Sequence, residues 1–263
     1  MAKISLRGYN HEIENLINSG RIDEAIAHCK YVLKFFPKCI DTYRLMGKAY
    51  LEAQRYGEAD DILTRVLSVL PDDFMSQVGM SIIREDEGNL DAAIFHMERA
   101  FEVKPSNSAI QEELRRLYGR RDGVEPPRVR LTRGALVRMY TRGELYPQAI
   151  AEIHAALTEE QKHVDLEIIL AQIYLKLGRK VEATEICSRL VNKLPFCFEA
   201  NRILTEILPG TSRAQDAEVY RKRVNALDPY AQFIGETIAT SADAPDNLVT
   251  LDFLDYQSSQ AMS

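Results

Sequence analysis

Apolar positions recur at spacings of three and four along most of the chain. In the stretch "AIAHCKYVL", the side chains of Ala25, Ile26, Cys29, Val32 and Leu33 fall on one face of a helix. Glycine, short polar turns and proline separate such stretches from one another. The pattern therefore predicts a series of short amphipathic helices joined by tight turns, and no β-strands.

A fixed register underlies these helices. An alanine is followed twelve residues later by a proline, and the unit recurs every 34 residues within each half of the chain. Proline ends a helix because it cannot donate the next hydrogen bond, and the alanine leaves room for two helices to cross closely. The alanines are Ala25, Ala59, Ala93, Ala149, Ala183 and Ala217; the prolines are Pro37, Pro71, Pro105, Pro195 and Pro229, with Gln161 in the remaining place.

This register resembles that of the tetratricopeptide repeat family over about residues 6–230. The first helix of a unit carries an apolar, then a small, then an aromatic residue: Met46, Gly47 and Tyr50 in repeat 2, and Leu170, Ala171 and Tyr174 in repeat 5. The chain has no tryptophan, so tyrosine stands where the family has one in repeats 1 and 2. The resemblance implies an all-α fold, a right-handed α-solenoid superhelix of six helix-turn-helix repeats plus one orphan helix.

The register breaks between Ala93 and Ala149, which are 56 residues apart, or 34 plus 22. After Pro105, "NSAIQEELRRLYG" predicts one helix capped by Ser108, and "GRRDGVEPPR" then replaces its partner helix. We expect this orphan helix to pack on the helix near residues 130–143. The predicted organisation is an N-terminal half of three repeats plus the orphan helix (1–119), a linker (120–128), a C-terminal half of three repeats (129–230) and an acidic tail (231–263).

Composition narrows the class of protein. Hydrophobic residues make up 46% and charged residues 27%, and no apolar run is long enough to span a membrane. The first residues lack the apolar core of a secretion signal, so a cytoplasmic location is expected. Free thiols are then expected rather than disulfides. The five histidines are scattered, no nucleophile has a visible base and no glycine-rich loop follows a strand, so neither an enzyme nor a metal or cofactor site is predicted.

In the resembled family the first helices line a concave groove that holds the ligand. Counting from each alanine gives the residues that would face it: Arg44, Lys48, Val78, Ile82, Arg116, Arg138, Arg142, Gln172, Lys176 and Arg202. Guanidinium groups suit carboxylates, so this groove would take an acidic or carboxylate-bearing peptide. The alternative is that these arginines are surface ion-pair partners, as the spacing of Glu112 and Glu113 from Arg116 allows.

The predicted function is a non-catalytic protein-interaction scaffold or adaptor. The alternative is nucleic-acid binding through nine arginines in residues 115–142, although the chain has a net charge of −6. A third possibility is that the protein is a subunit of a catalytic complex and has no activity alone.

The tail has no lysine or arginine, and "NLVTLDFLDY" alternates apolar residues with acids. We expect it to pack on a solenoid, in its own molecule or through self-association with a neighbour; the alternative is a solvated tail.

Overall fold

A computed structural model describes residues 3–159 and 163–256. Its described part folds as consecutive helical hairpins, which confirms the all-α solenoid class. The α-helices are α1 (Leu6–Asn18), α2 (Ile22–Phe35), α3 (Ile40–Glu52), α4 (Tyr56–Val69), α5 (Phe74–Asp86), α6 (Leu90–Val103), α7 (Ser108–Asp122), α8 (Arg133–Arg142), α9 (Tyr146–Glu159), α10 (Val164–Lys176), α11 (Lys180–Lys193), α12 (Phe198–Ile207) and α13 (Ala217–Leu227).

The register alanines lie where the two helices of a hairpin cross. Ala25, Ala59, Ala93, Ala149 and Ala183 are completely buried. Small residues on the first helices serve the same close approach. A Cβ placed on Gly47 would lie 2.6 Å from Cδ2 of Leu63, closer than van der Waals contact allows. The register thus reports the tightest contacts of each hairpin.

The chain forms two compact units. The first comprises residues 1–66 and 219–263, and the second comprises residues 67–218. The predicted boundaries at residues 119, 128 and 230 do not coincide with these units, and the division into two halves of three repeats stays a prediction.

The first unit brings residues 3–5 and 250–252 together in a sheet that the sequence did not predict. Strand β1 (Lys3–Ser5) pairs with strand β2 (Thr250–Asp252) in antiparallel register, with Ile4 opposite Leu251. The expectation of no strands is therefore wrong. Three residues are too few for the alternating pattern that identifies a strand, and the pairing joins segments at opposite ends of the chain.

The second unit contains the orphan helix α7, which differs from its prediction in two ways. Its N-cap is Asn107, whose side chain accepts from the backbone N–H of Ile110, and not Ser108. It continues through Asp122, so the first residues of the predicted linker are helical. Arginine is a good helix former, and Gly123, at φ +79°, then supplies the left-handed residue that ends a helix.

The orphan helix covers its apolar stripe mainly against α6. Leu114 and Leu117 are completely buried in a cluster with Phe101 and Met97 of α6. The expected partner α8 joins the same cluster through Ala135. Helix α7 therefore shares the apolar surface of α6 with α8.

The four cysteines are free thiols and all are buried. Burial raises the pKa of Cys29 and Cys187 to about 12 and that of Cys197 to about 11, which suppresses the reactive thiolate. Within the described residues, no group of three or more histidine, cysteine, aspartate or glutamate side chains is arranged to hold a metal ion. Over the same part of the chain, no helix combines the length and the apolar character needed to cross a membrane.

A first prediction concerns the left-handed residue in the turn of each hairpin. The residue five places before the register alanine has a left-handed conformation in five repeats, as Gly20, Gly88 and Gly178 but also as Gln54 and Glu144. A residue with a side chain costs roughly 1 kcal/mol in that conformation. We expect Glu144→Gly to raise the free energy of unfolding by about 0.5–1 kcal/mol, and the matched change Gly178→Glu to lower it by about 1 kcal/mol.

Urea denaturation of both variants and the parent measures these differences. A stabilising effect of Gly178→Glu, or a destabilising effect of Glu144→Gly, would contradict the assignment of strain to this turn position.

Candidate functional site

A cleft of about 280 Å³ lies within the second unit. Three first helices of repeats, α8, α10 and α12, supply most of its wall, and residues 69–72 at the end of α4 supply the rest. Its apolar part includes Leu70, Ile168 and Phe198, and its polar part includes carboxylates, guanidinium groups and an amide. An apolar surface edged by a few fixed polar groups is typical of binding sites.

Arg138 is fixed in the cleft wall by two carboxylates of different exposure. Its Nη2 atom lies 2.8 Å from Oδ2 of Asp165, which is buried, and its Nη1 atom lies 3.3 Å from Oδ2 of Asp72, which is half exposed. Burial alone would raise the pKa of Asp165. The hydrogen bond from His163 and the positive charges of Arg138 and Arg99 outweigh burial and hold that pKa below its usual value, so Asp165 is ionised at neutral pH.

A buried polar network continues behind Asp165. The Nη1 atom of Arg99 donates to the ring of His163, 2.9 Å from Nε2, and the Nη2 atom of Arg99 lies 2.9 Å from Oε1 of Glu102. Thr132 donates to the same Glu102 oxygen over 2.7 Å. Burial raises the pKa of Glu102, against the opposing effect of Arg99. The network therefore links α6, the start of α8 and the start of α10.

Gly134 makes room for this network. A Cβ at this position would lie 2.2 Å from Oε2 of Glu102, so only glycine lets α8 approach α6 with the carboxylate in place. Arg99, Glu102 and Asp165 were not predicted from the sequence. The spacing of three residues between Arg99 and Glu102 allows an ion pair on one helix, but it does not indicate burial, because the exposed pair of Glu113 and Arg116 has the same spacing.

The part of the cleft wall that α12 supplies is organised around Glu199. Its Oε1 accepts from Nε2 of Gln172 over 2.7 Å and from Arg202, and its Oε2 accepts from Nε of Arg202 over 2.8 Å. Burial would raise the pKa of Glu199, but Arg202 outweighs it and lowers that pKa. Arg142 differs from the other cleft arginine: its Nη2 atom donates to the carbonyl oxygen of Val103 over 3.2 Å, and no carboxylate of the described residues pairs with it.

Three of the ten predicted groove residues line this cleft, namely Arg138, Arg142 and Gln172. Four others of the second unit lie outside the cleft lining. Arg202 pairs with Glu199 but does not itself line the cleft. Val78 is half-buried against the apolar cluster of α6 and α7, and Ile82 is 42% exposed. The Nζ atom of Lys176 lies 6.0 Å from the ring centre of Tyr146.

The other predicted residues are ion-paired. In the second unit, Arg116 contacts Glu113 and Glu85, the latter over 2.6 Å. In the first unit, Arg44 lies 3.5 Å from Asp41, and Lys48 lies 3.6 Å from Glu14. The expected surface pairing of these cations is therefore present, and their part in a groove stays a prediction.

The arginine cluster of residues 115–142 is largely neutralised within the second unit. Six of its nine arginines contact a carboxylate; these six are Arg115, Arg116, Arg120, Arg121, Arg133 and Arg138. Glu85 alone serves Arg116 and Arg120, and the two guanidinium groups lower its pKa. In the folded chain, the basic run of the sequence therefore forms a surface on which positive and negative side chains lie together in ion pairs.

One family model matches two stretches of the chain. The family model described as "Tetratricopeptide repeat" matches residues 16–77 and 144–207. The chain is 26% identical to the human mitochondrial import receptor subunit TOM70 over 87 residues, which is 33% of this chain and 14% of that protein. The same subunit of Rattus norvegicus is 25% identical over 87 residues. The aligned segment covers about one seventh of these curated relatives, at 14% of their length.

Solved structures give a fold-level likeness. A tetratricopeptide repeat protein from Parabacteroides merdae matches with a TM-score of 0.39 and 12% identity, over 84% of this chain and 77% of that one. The TPR2AB domain of yeast Sti1 in complex with pHSP90 matches with a TM-score of 0.37 and 15% identity, over 84% of this chain and 91% of that one.

The two carboxylates on Arg138 generate a second prediction. Asp165→Asn leaves a buried guanidinium with only an exposed partner, so we expect the free energy of unfolding at pH 7 to fall by about 3 kcal/mol. The matched change Asp72→Asn removes an exposed partner and is expected to cost less than about 1 kcal/mol. Denaturant unfolding of both variants measures the difference.

The effect of Asp165→Asn depends on pH in a defined direction. Because the pKa of Asp165 is lowered in the folded chain, its contribution is fully present above the pKa of an unfolded aspartate, about 3.9. It is lost as the pH falls through the lower folded value. The gap between parent and variant should therefore close at strongly acidic pH, and a gap independent of pH would contradict the assigned pairing.

Proposed function

Because this chain belongs to the tetratricopeptide repeat family, we propose that it is a non-catalytic scaffold that holds a partner protein by a segment lying in the cleft of residues 67–218. The family fold is a general framework for protein–protein interaction. The proposal adds the place of contact, which is the wall formed by α8, α10 and α12.

The observation that carries the proposal is the unequal state of the two cleft arginines. Arg138 is held between Asp72 and Asp165, whereas Arg142 is exposed and contacts only a backbone carbonyl among the described groups. A guanidinium with unused donors beside Ile168 and Phe198 suits a segment that presents a carboxylate next to an apolar side chain.

The sequence favoured an acidic partner. Within the cleft, only Arg142 supports that expectation, because it is the one lining cation without a carboxylate partner among the described residues. The other charges there are three carboxylates, from Asp72, Asp165 and Glu199, and the paired Arg138. We therefore propose a partner segment with one acidic contact among apolar ones, rather than a strongly acidic peptide. The apolar side chains of the partner segment would contribute most of the binding free energy, because apolar area removed from water contributes about 25 cal/mol per Å².

Nucleic-acid binding receives less support than it had from the sequence. It requires several cations free to meet phosphates, and six of the nine clustered arginines already contact carboxylates. We do not propose it as a second function.

A third prediction tests the cleft with peptides. A random peptide library displayed on phage is selected on the full chain, and the enriched peptides are synthesised and titrated by fluorescence anisotropy. Arg142→Glu should weaken them at least about tenfold, which corresponds to about 1.4 kcal/mol, because it reverses the charge that meets the peptide carboxylate.

Lys193→Glu is the matched control, since it makes the same charge change on the exposed last turn of α11, outside the cleft. It should leave the affinities unchanged. Equal losses for both variants would reduce the effect to net charge, and no loss for Arg142→Glu would remove Arg142 from the proposed contact.

A further inference from the structure

The C-terminal segment 241–256 lies on the first repeat of its own chain, within the first unit. Strand β2 pairs with β1 as described above, and the backbone N–H of Leu6 donates to the carbonyl oxygen of Val249 over 2.9 Å. Leu251 is buried in this contact, while Thr250 and Asp252 on either side of it are exposed. The segment is thus held as an extended strand with one apolar side facing the repeat.

Arg7 of α1 recognises the part of the segment that precedes the strand. Its Nη1 atom donates to the carbonyl oxygen of Ala244 over 2.7 Å and to Oδ1 of Asp246 over 2.8 Å, and its Nη2 atom donates to the carbonyl oxygen of Ser241. The guanidinium also lies over the ring of Tyr230, 3.8 Å from its centre. One side chain therefore binds an acid and two backbone carbonyls of the segment.

An aromatic pair on α1 and α2 recognises the end of the segment. The ring of Phe253 lies 4.8 Å from that of Tyr9 and 4.9 Å from that of His28. The hydroxyl of Tyr9 accepts from the backbone N–H of Leu254 over 3.1 Å and makes a 2.8 Å hydrogen bond with Nδ1 of His28. With Phe253 in place, Tyr9 and His28 are almost fully buried.

We propose that the surface formed by β1, Arg7, Tyr9 and His28, here called the first-repeat face, is a second binding site of this protein. Its ligand is an extended segment of a partner protein that alternates apolar and acidic residues and carries an aromatic side chain. The chain's own segment 241–256 is the resident occupant, and its contacts define this chemistry: strand pairing, an acid on Arg7 and an aromatic ring on Tyr9 and His28. Such strand addition is a general mode of peptide recognition.

Exchange of the resident segment breaks a short strand pairing, which joins only three residues on each side. Residues 234–240, which join it to α13 and Tyr230, contain no α-helix and are mostly exposed. A partner must still compete with a tethered segment, whose effective concentration is of the order of millimolar. The face therefore binds partners weakly while the segment is in place and much more tightly once it leaves.

The test uses a fluorescent synthetic peptide of residues 246–256, "DNLVTLDFLDY", and full-length protein. In the variant Asp246→Ala/Phe253→Ala the resident segment loses its acid and its aromatic ring, so the peptide should bind at least about tenfold more tightly than it binds the parent chain. Adding Arg7→Ala to that variant should reverse the gain. A peptide of the same composition in scrambled order is the control probe.

A second variant keeps the test decisive if the first folds poorly. In Ile4→Cys/Leu251→Cys the new thiols face each other across the strand pair, while the four native cysteines are buried. Oxidation should lock the resident segment and abolish peptide binding, and dithiothreitol should restore it. Equal binding to the oxidised and reduced forms, or no binding to any variant at millimolar peptide, would overturn the proposal.

This site is separable from the cleft of residues 67–218. Arg142→Glu should leave binding of the 246–256 peptide unchanged, because Arg142 belongs to the second unit. A change in peptide binding on Arg142→Glu would also count against the first-repeat face as the binding site.

Discussion

An amphipathic helical hairpin in this fold cannot bury its apolar surface by itself, and the rest of the structure follows from that constraint. Each hairpin needs cover on both sides, and a neighbouring hairpin supplies it wherever the register continues. Where the register stops, another segment of the chain must cover the apolar surface. The orphan helix α7 covers α6 through Leu114 and Leu117, and the C-terminal segment covers the first repeat through Leu251 and Phe253.

Ion pairing is the second factor that shapes the structure. Because of it, the arginine-rich stretch of the sequence does not form a surface of unpaired positive charges. The arginine cluster lies in a chain with 39 acidic and 33 basic residues, so most guanidinium groups find a carboxylate within their own unit. Exposed pairs of this kind contribute little to stability. Their larger consequence is for recognition, because a paired arginine must give up its carboxylate before it binds an external one. Arg142 is available for the proposed contact for this reason.

The sequence predicted the helical register well because the register is local physics: spacing, a small residue at each crossing and a proline at each end. It failed where contacts join distant residues. The β1–β2 pairing brings Ile4 to Leu251, and no local pattern in three residues reports such a partner. The cleft was predicted only in part for the same reason. Arg138 and Arg142 follow from helix periodicity, whereas Asp72 and Glu199 come from elements far along the chain.

The buried polar network beside the cleft explains why these particular groups line it. Taking Arg99, Glu102 and Asp165 out of water costs several kcal/mol per ion, and their mutual contacts offset part of that cost. An apolar core of equal volume would hold α6, α8 and α10 together at least as well. It would not fix Asp165 at the edge of the cleft, and without Asp165 only the exposed Asp72 would hold the guanidinium of Arg138. The network thereby commits Arg138 to the structure and leaves the binding contact to Arg142.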